Sequence, residues 1–341
     1  MTRSVILAAE TSCDETSVAV VRDGTEVLAN LVASQIEIHR RFGGVVPEVA
    51  SRQHVLAINP LLQEALEVAG VGWHDLTAIA GTEGPGLLGA LLVGLVAAKS
   101  AAWSLGIPFI GVHHLAAHIW ANVMADRTLP LPFLCLLVSG GHTALVKVSG
   151  PQTFELLGET LDDAVGEAYD KVARLLNLPY PGGPPIDRLA QEGNAAAFAF
   201  PRALLKEPGY QFSLSGLKTA VRRSVEKYEL SGAPLPVADL AASFQAAVVD
   251  VLVAKTAAAA EAHGLTTIAV AGGVAANSAL RGALTAMCER RRYRLSLPPM
   301  GLCTDNAAMI AGLAHDLYAT GVRTPLDAPA YSRKPLPNLA R

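Results

Sequence analysis

The sequence predicts an α/β protein made of two domains that repeat one plan. Three observations lead there. Short apolar runs of strand length alternate with longer stretches of helical period. One order of elements, βββαβαβα, is read twice, first from residue 4 and again from residue 132. A chain of 341 residues that is 51% hydrophobic and 17% charged has apolar side chains enough for two buried cores.

In the first copy, SVILAAETS (4–12) is a buried strand. TSVAVVRDG (16–24) follows a tight polar turn, and EVLANLVAS (26–34) follows an Asp-Gly hairpin signal. A helix is expected over 47–69, where Val49, Leu56, Leu61, Leu62, Leu66 and Val68 approximate a 3.6 period. TAIAGT (77–82) is a strand, 87–105 a helix, IPFIGV (107–112) a strand and 113–125 a helix. The apolar stretch 86–112 is long enough to suggest a membrane span. Lys99 interrupts it, however, and Gly106 and Pro108 break it, so it reads as a buried helix followed by a buried strand.

In the second copy, PFLCLLVSG (132–140), HTALVKVSG (142–150) and TFELLGET (153–160) are strands. Helices are expected at 162–177, 184–192, 215–229 and 237–263. A strand (266–273), a helix (277–291), a strand (293–299) and a helix (304–321) complete the plan. The expected organisation is a first lobe, 1–131, joined by the C-terminal helix 304–321. A second lobe, 132–303, carries a helical insertion at 178–235, and 322–341 is a tail.

Two such halves match the duplicated architecture of sugar kinases, actin and the large heat-shock ATPases (the ASKHA, ribonuclease H-like plan). In that plan two actin-like domains enclose a nucleotide cleft at their strand ends. The turn between the first two strands of each half then touches phosphate. Here those turns are ETSCDET (10–16) and SGGHT (139–143), rich in small residues whose amides can face an anion, or else plain hairpin turns. GTEGPGLLGALLVG (81–94) lacks the P-loop spacing, and serves either close helix packing or ligand contact. In AGGVAAN (271–277), Gly272 and Gly273 permit close approach of a flat ligand, and Asn277 offers hydrogen bonds to a ribose or base. Asp170, on the polar side of the amphipathic stretch 161–177, and Asp187, after the YPGGPP turn, are acceptors for sugar hydroxyls or solvated surface carboxylates.

The segment GVHHLAAHIW (111–120) places His114 and His118 four apart at the start of a helix, on one face, where two imidazoles can share one metal ion. Ala116 and Ala117 fill the interior of this pair, so the glutamate base of an H-E-x-x-H protease is missing and proteolysis is disfavoured. His113 points about 100° away on a helical wheel and suits packing or capping. Asp305, in CTDNAAM (303–309) at the start of the matching helix in the second half, completes a two-histidine, one-carboxylate set. Its other reading is a helix N-cap, a role Thr304 could also fill.

Net charge is −3, from 27 basic and 30 acidic side chains. Such a chain does not grip a phosphate backbone unaided. Its basic clusters are Arg290–Arg292 with Arg294, and Arg40 with Arg41. The four cysteines are scattered without C-x-x-C spacing, which fits a reduced cytoplasmic compartment. The first residues hold too few apolar side chains before Glu10 for a signal peptide, and no membrane association is expected.

Ten ordered motifs between residues 4 and 334 resemble the bacterial tRNA adenosine threonylcarbamoyltransferase family, formerly described as O-sialoglycoprotein endopeptidases. They are ETSCDETSVAVV, HRRFGGVVPEVASRQH, GPGLLGALLVGL, HHLAAH, LVSGGHT, GEAYDKVARLL, YPGGPPID, FSLSGLKTA, GGVAANSALR and CTDNAAMIA. The resemblance implies transfer of a threonylcarbamoyl group from threonylcarbamoyl-AMP to the exocyclic amine of the adenosine 3′ of the anticodon in ANN-decoding tRNAs. It implies that His114, His118 and Asp305 hold one divalent metal, with iron first and zinc or magnesium as alternatives. It implies that Leu137, Val138, Ser139, Gly140, Gly141, Asp170, Gly183, Asp187 and Asn277 bind the adenylate or an ATP-type nucleotide. Implied partners are tRNA, an inactive paralogous subunit (TsaB-like), a small ATPase subunit (TsaE-like) and a separate synthase that makes the adenylate. Some members carry Glu-Gly where this chain has Ala116-Ala117. The amine of adenosine is a poor nucleophile, so a base or close alignment is required; Asp14 and Glu15, beside the first turn, are candidates, or else hydrogen-bond that turn. The competing readings are a small-molecule kinase of the same fold and a non-catalytic nucleotide-binding scaffold.

Overall fold

A computed structural model describes residues 3–338. Two compact units divide them. One takes in the chain up to Leu129, Ser149–Phe154 and the chain from Pro298 onward; the other takes in Pro130–Val148 and Glu155–Leu297.

In the first unit, β1 (Val5–Glu10), β2 (Glu15–Arg22) and β3 (Glu26–Ser34) form an antiparallel meander. β4 (Ala78–Gly84) and β5 (Phe109–His113) extend it in parallel, in the order β3-β2-β1-β4-β5. β1 and β2 are buried along nearly their whole length, which is why they read as unbroken apolar runs instead of alternating ones. The helices are α1 (Ile36–Arg40), α2 (Pro47–Ala69), α3 (Leu88–Leu105), α4 (His114–Ala125) and the last helix of the chain, Ala307–Ala319. Leu7, Ala9, Val18 and Val20 pack with Ile58, Leu62 and Leu66 of α2 and with Leu95 and Ala98 of α3. The alternate residues Ile6, Ala8, Ala19 and Val21 are equally buried on the opposite face, where the last helix covers β1 and β2 and packs on α4.

In the second unit, β6 (Phe133–Val138), β7 (Thr143–Gly150) and β8 (Thr153–Glu159) precede β9 (Thr267–Ala271) and β10 (Arg294–Ser296), in the order β10-β9-β6-β7-β8. β6 pairs antiparallel with β7 and parallel with β9. Between β8 and β9 the chain inserts α5 (Val165–Leu175), α6 (Gly183–Ala190), α7 (Ser215–Ser231) and α8 (Val237–Ala262); α9 (Ser278–Arg291) follows β9. Each sheet therefore has its third, second, first, fourth and fifth strands in that spatial order, so the duplication read from the sequence is a duplication of topology.

Several boundaries differ from expectation, among them α5, expected over 162–177 and found at Val165–Leu175. α1 is an addition, because five residues are too few for a periodic signal. The strand expected over 293–299 contracts to Arg294–Ser296. The last helix begins at Ala307, because the Asn306 side chain accepts from the Met309 N–H and caps it there. α3 and α8 both have the length and apolar character of a membrane-spanning helix. α3 packs on β4, and α8 is largely buried against α6, α9 and β6.

Candidate active site

α4 begins directly after β5, so the chain turns from strand to helix at the histidines. His113 closes β5 and caps α4, its Nδ1 accepting from the Ala116 N–H, while its Nε2 lies 3.0 Å from the Lys334 carbonyl. The packing-or-capping role expected for His113 is the one it has. One turn apart on α4, His114 and His118 present imidazoles whose centroids are 4.6 Å apart at an interplanar angle of 85°. Asp305 Oδ1 lies 3.0 Å from His118 Nε2 and 3.6 Å from His114 Nε2. Asp305 is not the cap of the last helix: it stands two residues before that helix, and Asn306 takes the cap. Among the described residues these three side chains form a group able to hold a metal ion, with ligand atoms all within 4.8 Å of one another.

Glu10, at the end of β1, sits behind His114. Its carboxylate is fully buried and accepts from Thr82 Oγ1 (2.5 Å) and the Ser12 N–H (2.5 Å). Glu10 Oε2 lies 3.1 Å from His114 Nδ1, with Ser12 Oγ at 3.2 Å from the same nitrogen. That bond keeps a proton on Nδ1 and turns Nε2 toward the point shared with Asp305 and His118, the orientation of a carboxylate–histidine–metal arrangement. Burial works against a charged His114, but Glu10 and Asp305 outweigh it and raise its pKa to about 9. Burial likewise works against an ionised Glu10, yet the His114 charge and hydrogen bond hold its carboxyl below the ordinary value. Two carboxylates in this pocket thus draw in positive charge. A divalent cation satisfies that demand better than one proton, and two imidazole nitrogens with one carboxylate oxygen suit a first-row transition metal better than magnesium. Nδ1 of His118 is buried with no hydrogen-bond partner among the described residues, so Nε2 is the nitrogen His118 directs at the shared point.

Asp14 closes the β1–β2 turn, and Glu15 opens β2. Asp14 is buried, and its carbonyl accepts from the Gln35 N–H at 3.0 Å. Glu15 accepts from Ser34 Oγ at 3.2 Å. Burial, then the neighbouring Asp14 charge, then Asp305 push the Glu15 carboxyl up to about 9. Glu15 therefore holds its proton at neutral pH and suits donation better than base catalysis. The glycine-rich junction 81–94 is used for packing: Thr11 Oγ1 donates to the Ala90 carbonyl and accepts from the Gly94 N–H, and the Leu87 N–H donates to the Ser12 carbonyl.

The remaining expected residues lie in the second unit. Leu137 and Val138 are inside β6 with side chains fully buried, so they offer a ligand only backbone. Beyond them Ser139 is tied to His142 through its N–H (2.8 Å) and its Oγ (3.1 Å), while Gly140 and Gly141 are exposed with open space around them. Gly272 has φ +90°, and a Cβ there would lie 2.4 Å from the Val138 carbonyl oxygen; Gly273 stands in open space.

Neither Asp170 nor Asp187 is the solvated surface carboxylate of the alternative reading. Asp170 Oδ1 accepts from the Gly182 N–H at 2.7 Å, across the Gly-Pro turn. A Cβ on Gly182 would lie 2.5 Å from Ala173 Cβ and 2.7 Å from the Tyr169 carbonyl oxygen, so Gly182 is the sterically required glycine and Gly183 is open. Asp187 accepts from Ser278 Oγ (2.9 Å), Gln245 Nε2 (3.0 Å), the Ser278 N–H (3.0 Å) and Asn277 Nδ2 (3.1 Å). Asn277 caps α9 through its Oδ1, which accepts from the Leu280 N–H at 2.9 Å, and its Nδ2 also donates to Gln245 Oε1 at 2.8 Å.

Sequence reasoning misses Glu10, Gln245, Tyr169 and Ser278. Two of them leave a faint signal: Glu10 is an acid ending an apolar strand, and Gln245 is a polar break in the apolar run LAASFQAAVVDVLVA of α8. Polar groups in buried positions need partners, and here the partners are the expected site residues.

A family profile described as tRNA N6-adenosine threonylcarbamoyltransferase matches residues 26–312. A curated protein of that name from Bacillus anthracis is 54% identical over 324 residues, which make up 95% of this chain and 94% of that protein. Full-length HypF in its phosphate- and nucleotide-bound form is similar in structure, with a TM-score of 0.60 at 15% identity over 96% of this chain; the chain spans 47% of that protein's length. Component A of the (R)-2-hydroxyglutaryl-CoA dehydratase of Acidaminococcus fermentans has a TM-score of 0.52 at 15% identity, over 93% of this chain and 97% of its own. The likeness to both is one of fold.

Proposed function

The chain belongs to the tRNA N6-adenosine threonylcarbamoyltransferase family, and from that premise we propose how its own residues perform the transfer. The chain is a transferase that places a threonylcarbamoyl group on N6 of an adenosine in tRNA. We infer that the donor is threonylcarbamoyl-AMP and that the acceptor is the adenosine 3′ of the anticodon in ANN-decoding tRNAs. The single observation that supports the site assignment is the approach of Asp305 to both α4 imidazoles.

In this reading His114, His118 and Asp305 hold one divalent metal, iron before zinc or magnesium. When bound, the metal supplies charge neutralisation and carbonyl polarisation at an anhydride that is already activated. Glu10 keeps the His114 ring in the tautomer that offers Nε2. Asp14 is the candidate to accept the proton lost from the attacking amine, and Glu15, protonated, is a candidate hydrogen-bond donor to the departing phosphate, a role that transfers no proton. In the second unit, Asp187 and Asn277 take the nucleoside, Asp170 holds the Gly-Pro turn through Gly182, and the Gly140–Gly141 backbone faces phosphate. Such a site needs mainly positioning and electrostatics, because the donor brings its own leaving group. A cytoplasmic location, an inactive paralogous subunit and a small ATPase complete the proposal, and the near-neutral net charge supports partner help in holding tRNA.

The test combines the purified chain, its partners, synthetic adenylate and unmodified tRNA, scored by mass spectrometry of the nucleosides. Modification is expected with the native chain and is lost with His114→Ala. Full modification by His114→Ala would remove the metal cluster from the chemistry.

A further inference from the structure

Gln245 lies on α8, 32 residues from Asn277 and 58 from Asp187, and its side chain touches both. It is 4% exposed. The hydrogen-bond directions around it are fixed by one helix cap. Asn277 Oδ1 accepts from the Leu280 N–H, so the amide nitrogen of Asn277 must point the other way. That nitrogen has two N–H groups, and they go to Gln245 Oε1 (2.8 Å) and Asp187 Oδ1 (3.1 Å). Gln245 Oε1 is thereby an acceptor, and it accepts from Tyr169 OH (3.2 Å) as well. Gln245 Nε2 is left as the end that donates to Asp187 Oδ1, at 3.0 Å.

We propose that Gln245 is a positioning residue for nucleoside binding, holding the Asp187 carboxylate and the Asn277 amide in one mutual orientation. The inference rests on the assignment of Asp187 and Asn277 to the nucleoside. With Gln245 in place, Asp187 Oδ1 is saturated by Asn277, Gln245 and Ser278 Oγ, while Oδ2 receives the Ser278 N–H. The carboxylate then offers Oδ2 to a ligand hydroxyl, and both donors of Asn277 are already engaged. What the pair leaves to a ligand is therefore an acceptor, which suits a ribose hydroxyl hydrogen. Without Gln245 the direct Asn277–Asp187 bond remains, but each side chain loses one of the partners that fix its orientation, and binding must then supply the lost order.

The test uses the full chain loaded with metal, AMP as the binding probe, and the variants Gln245→Glu, Gln245→Met and Asp187→Ala. Gln245→Glu keeps the acceptor for Asn277 but sets a second carboxylate against Asp187, and Gln245→Met keeps only the volume. Both are expected to raise the Kd for AMP and the KM for the adenylate about tenfold, the scale of one buried hydrogen bond, with kcat within about twofold. Metal content is expected to stay at the native value, which a general folding defect would not leave untouched. Gln245→Met in an Asp187→Ala background is expected to add little, because both changes remove one tie. Native AMP affinity in both Gln245 variants, or a fall in kcat with KM unchanged, overturns the proposal. The Asp187→Ala arm separates the two claims. If it weakens AMP binding while the Gln245 variants do not, only the positioning role fails; if it binds AMP like the native chain, the nucleoside assignment fails first.

Discussion

His118 Nε2 and Asp305 Oδ1 lie 3.0 Å apart, joined from positions 187 residues distant. The contact exists because the last helix packs on α4 and places the segment just before it against the start of that helix. A carboxylate brought this close to two imidazoles is a ligand set suited to a cation, and the first prediction follows from its chemistry. Asp305→Ala or His118→Ala is expected to reduce bound metal below the native stoichiometry. Transfer should fall by more than the roughly 10–100-fold that losing an outer-sphere partner costs. Metal analysis and a chelation–reconstitution series on the native chain measure both; full metal content in Asp305→Ala would place the metal elsewhere.

Glu10→Gln removes the carboxylate behind His114 while keeping the shape. Its side-chain amide can still accept from the imidazole, so folding is expected to survive. Metal affinity should drop about 10–100-fold, since the ligand loses the partner that fixes its tautomer and raises its basicity. A competition titration with a metal-binding dye reads this directly, and an unchanged affinity would sever the link between Glu10 and the metal.

Glu15 and Asp14 are expected to respond differently at pH 7. With its carboxyl pushed up to about 9, Glu15 is already protonated there. Glu15→Gln imitates that state and should transfer at close to the native rate. Asp14→Asn removes the candidate proton acceptor and should slow transfer by about 10²–10⁴-fold. Single-turnover rates at saturating adenylate decide the matter, and equal losses in the two variants would mean the turn is held by both acids without either handling a proton.

The two neighbouring glycines before α6 should separate in a stability measurement. Gly182→Ala drives a methyl against Ala173 and the Tyr169 carbonyl and should cost about 1–3 kcal/mol. Gly183→Ala enters open space and should change stability by no more than about 0.5 kcal/mol. Loss of AMP affinity in a fully stable Gly183→Ala would mark close ligand approach at that backbone.

Asp162 caps α7 from outside the helix. It accepts from Ser213 Oγ (2.6 Å), Ser215 Oγ (2.7 Å), the Leu214 N–H (2.8 Å) and the Ser215 N–H (3.3 Å), which accounts for the two serines of FSLSGLKTA. Burial opposes ionisation, but these donors together hold the Asp162 carboxyl below its ordinary value. A depressed carboxylate contributes stability above its unfolded pKa, and that contribution is lost as the pH falls through the folded value. Asp162→Ala should therefore destabilise by about 1 kcal/mol near neutrality, a capping-sized effect on an exposed group, and by less in acid. Thermal melts at neutral and acidic pH test it; a cost that grows in acid has the wrong sign.

Much of the molecule was legible before folding. The order of strands and helices, the i,i+4 imidazoles and the capping role of His113 all come from periods of two and 3.6 residues, which neighbouring positions impose on one another. Asp305, Asp170 and Asp187 were visible as carboxylates, but whether each faced solvent was not, because the answer lies in which partners reach it. Gly183 drew attention in the Gly-Gly pair, yet the crowded position is Gly182, a distinction made by Ala173 and Tyr169 from the preceding helix.

Local spacing alone thus determined the duplicated sheets and the face shared by His114 and His118. Tertiary structure alone decided that Glu10 stands behind one imidazole, that Asp305 stands before both, and that Gln245 ties Asp187 to Asn277. The reason is physical. A helix or strand arises from contacts a few residues apart, whereas a buried polar group must be met by whichever element the packing of apolar faces carries to it, at any distance along the chain.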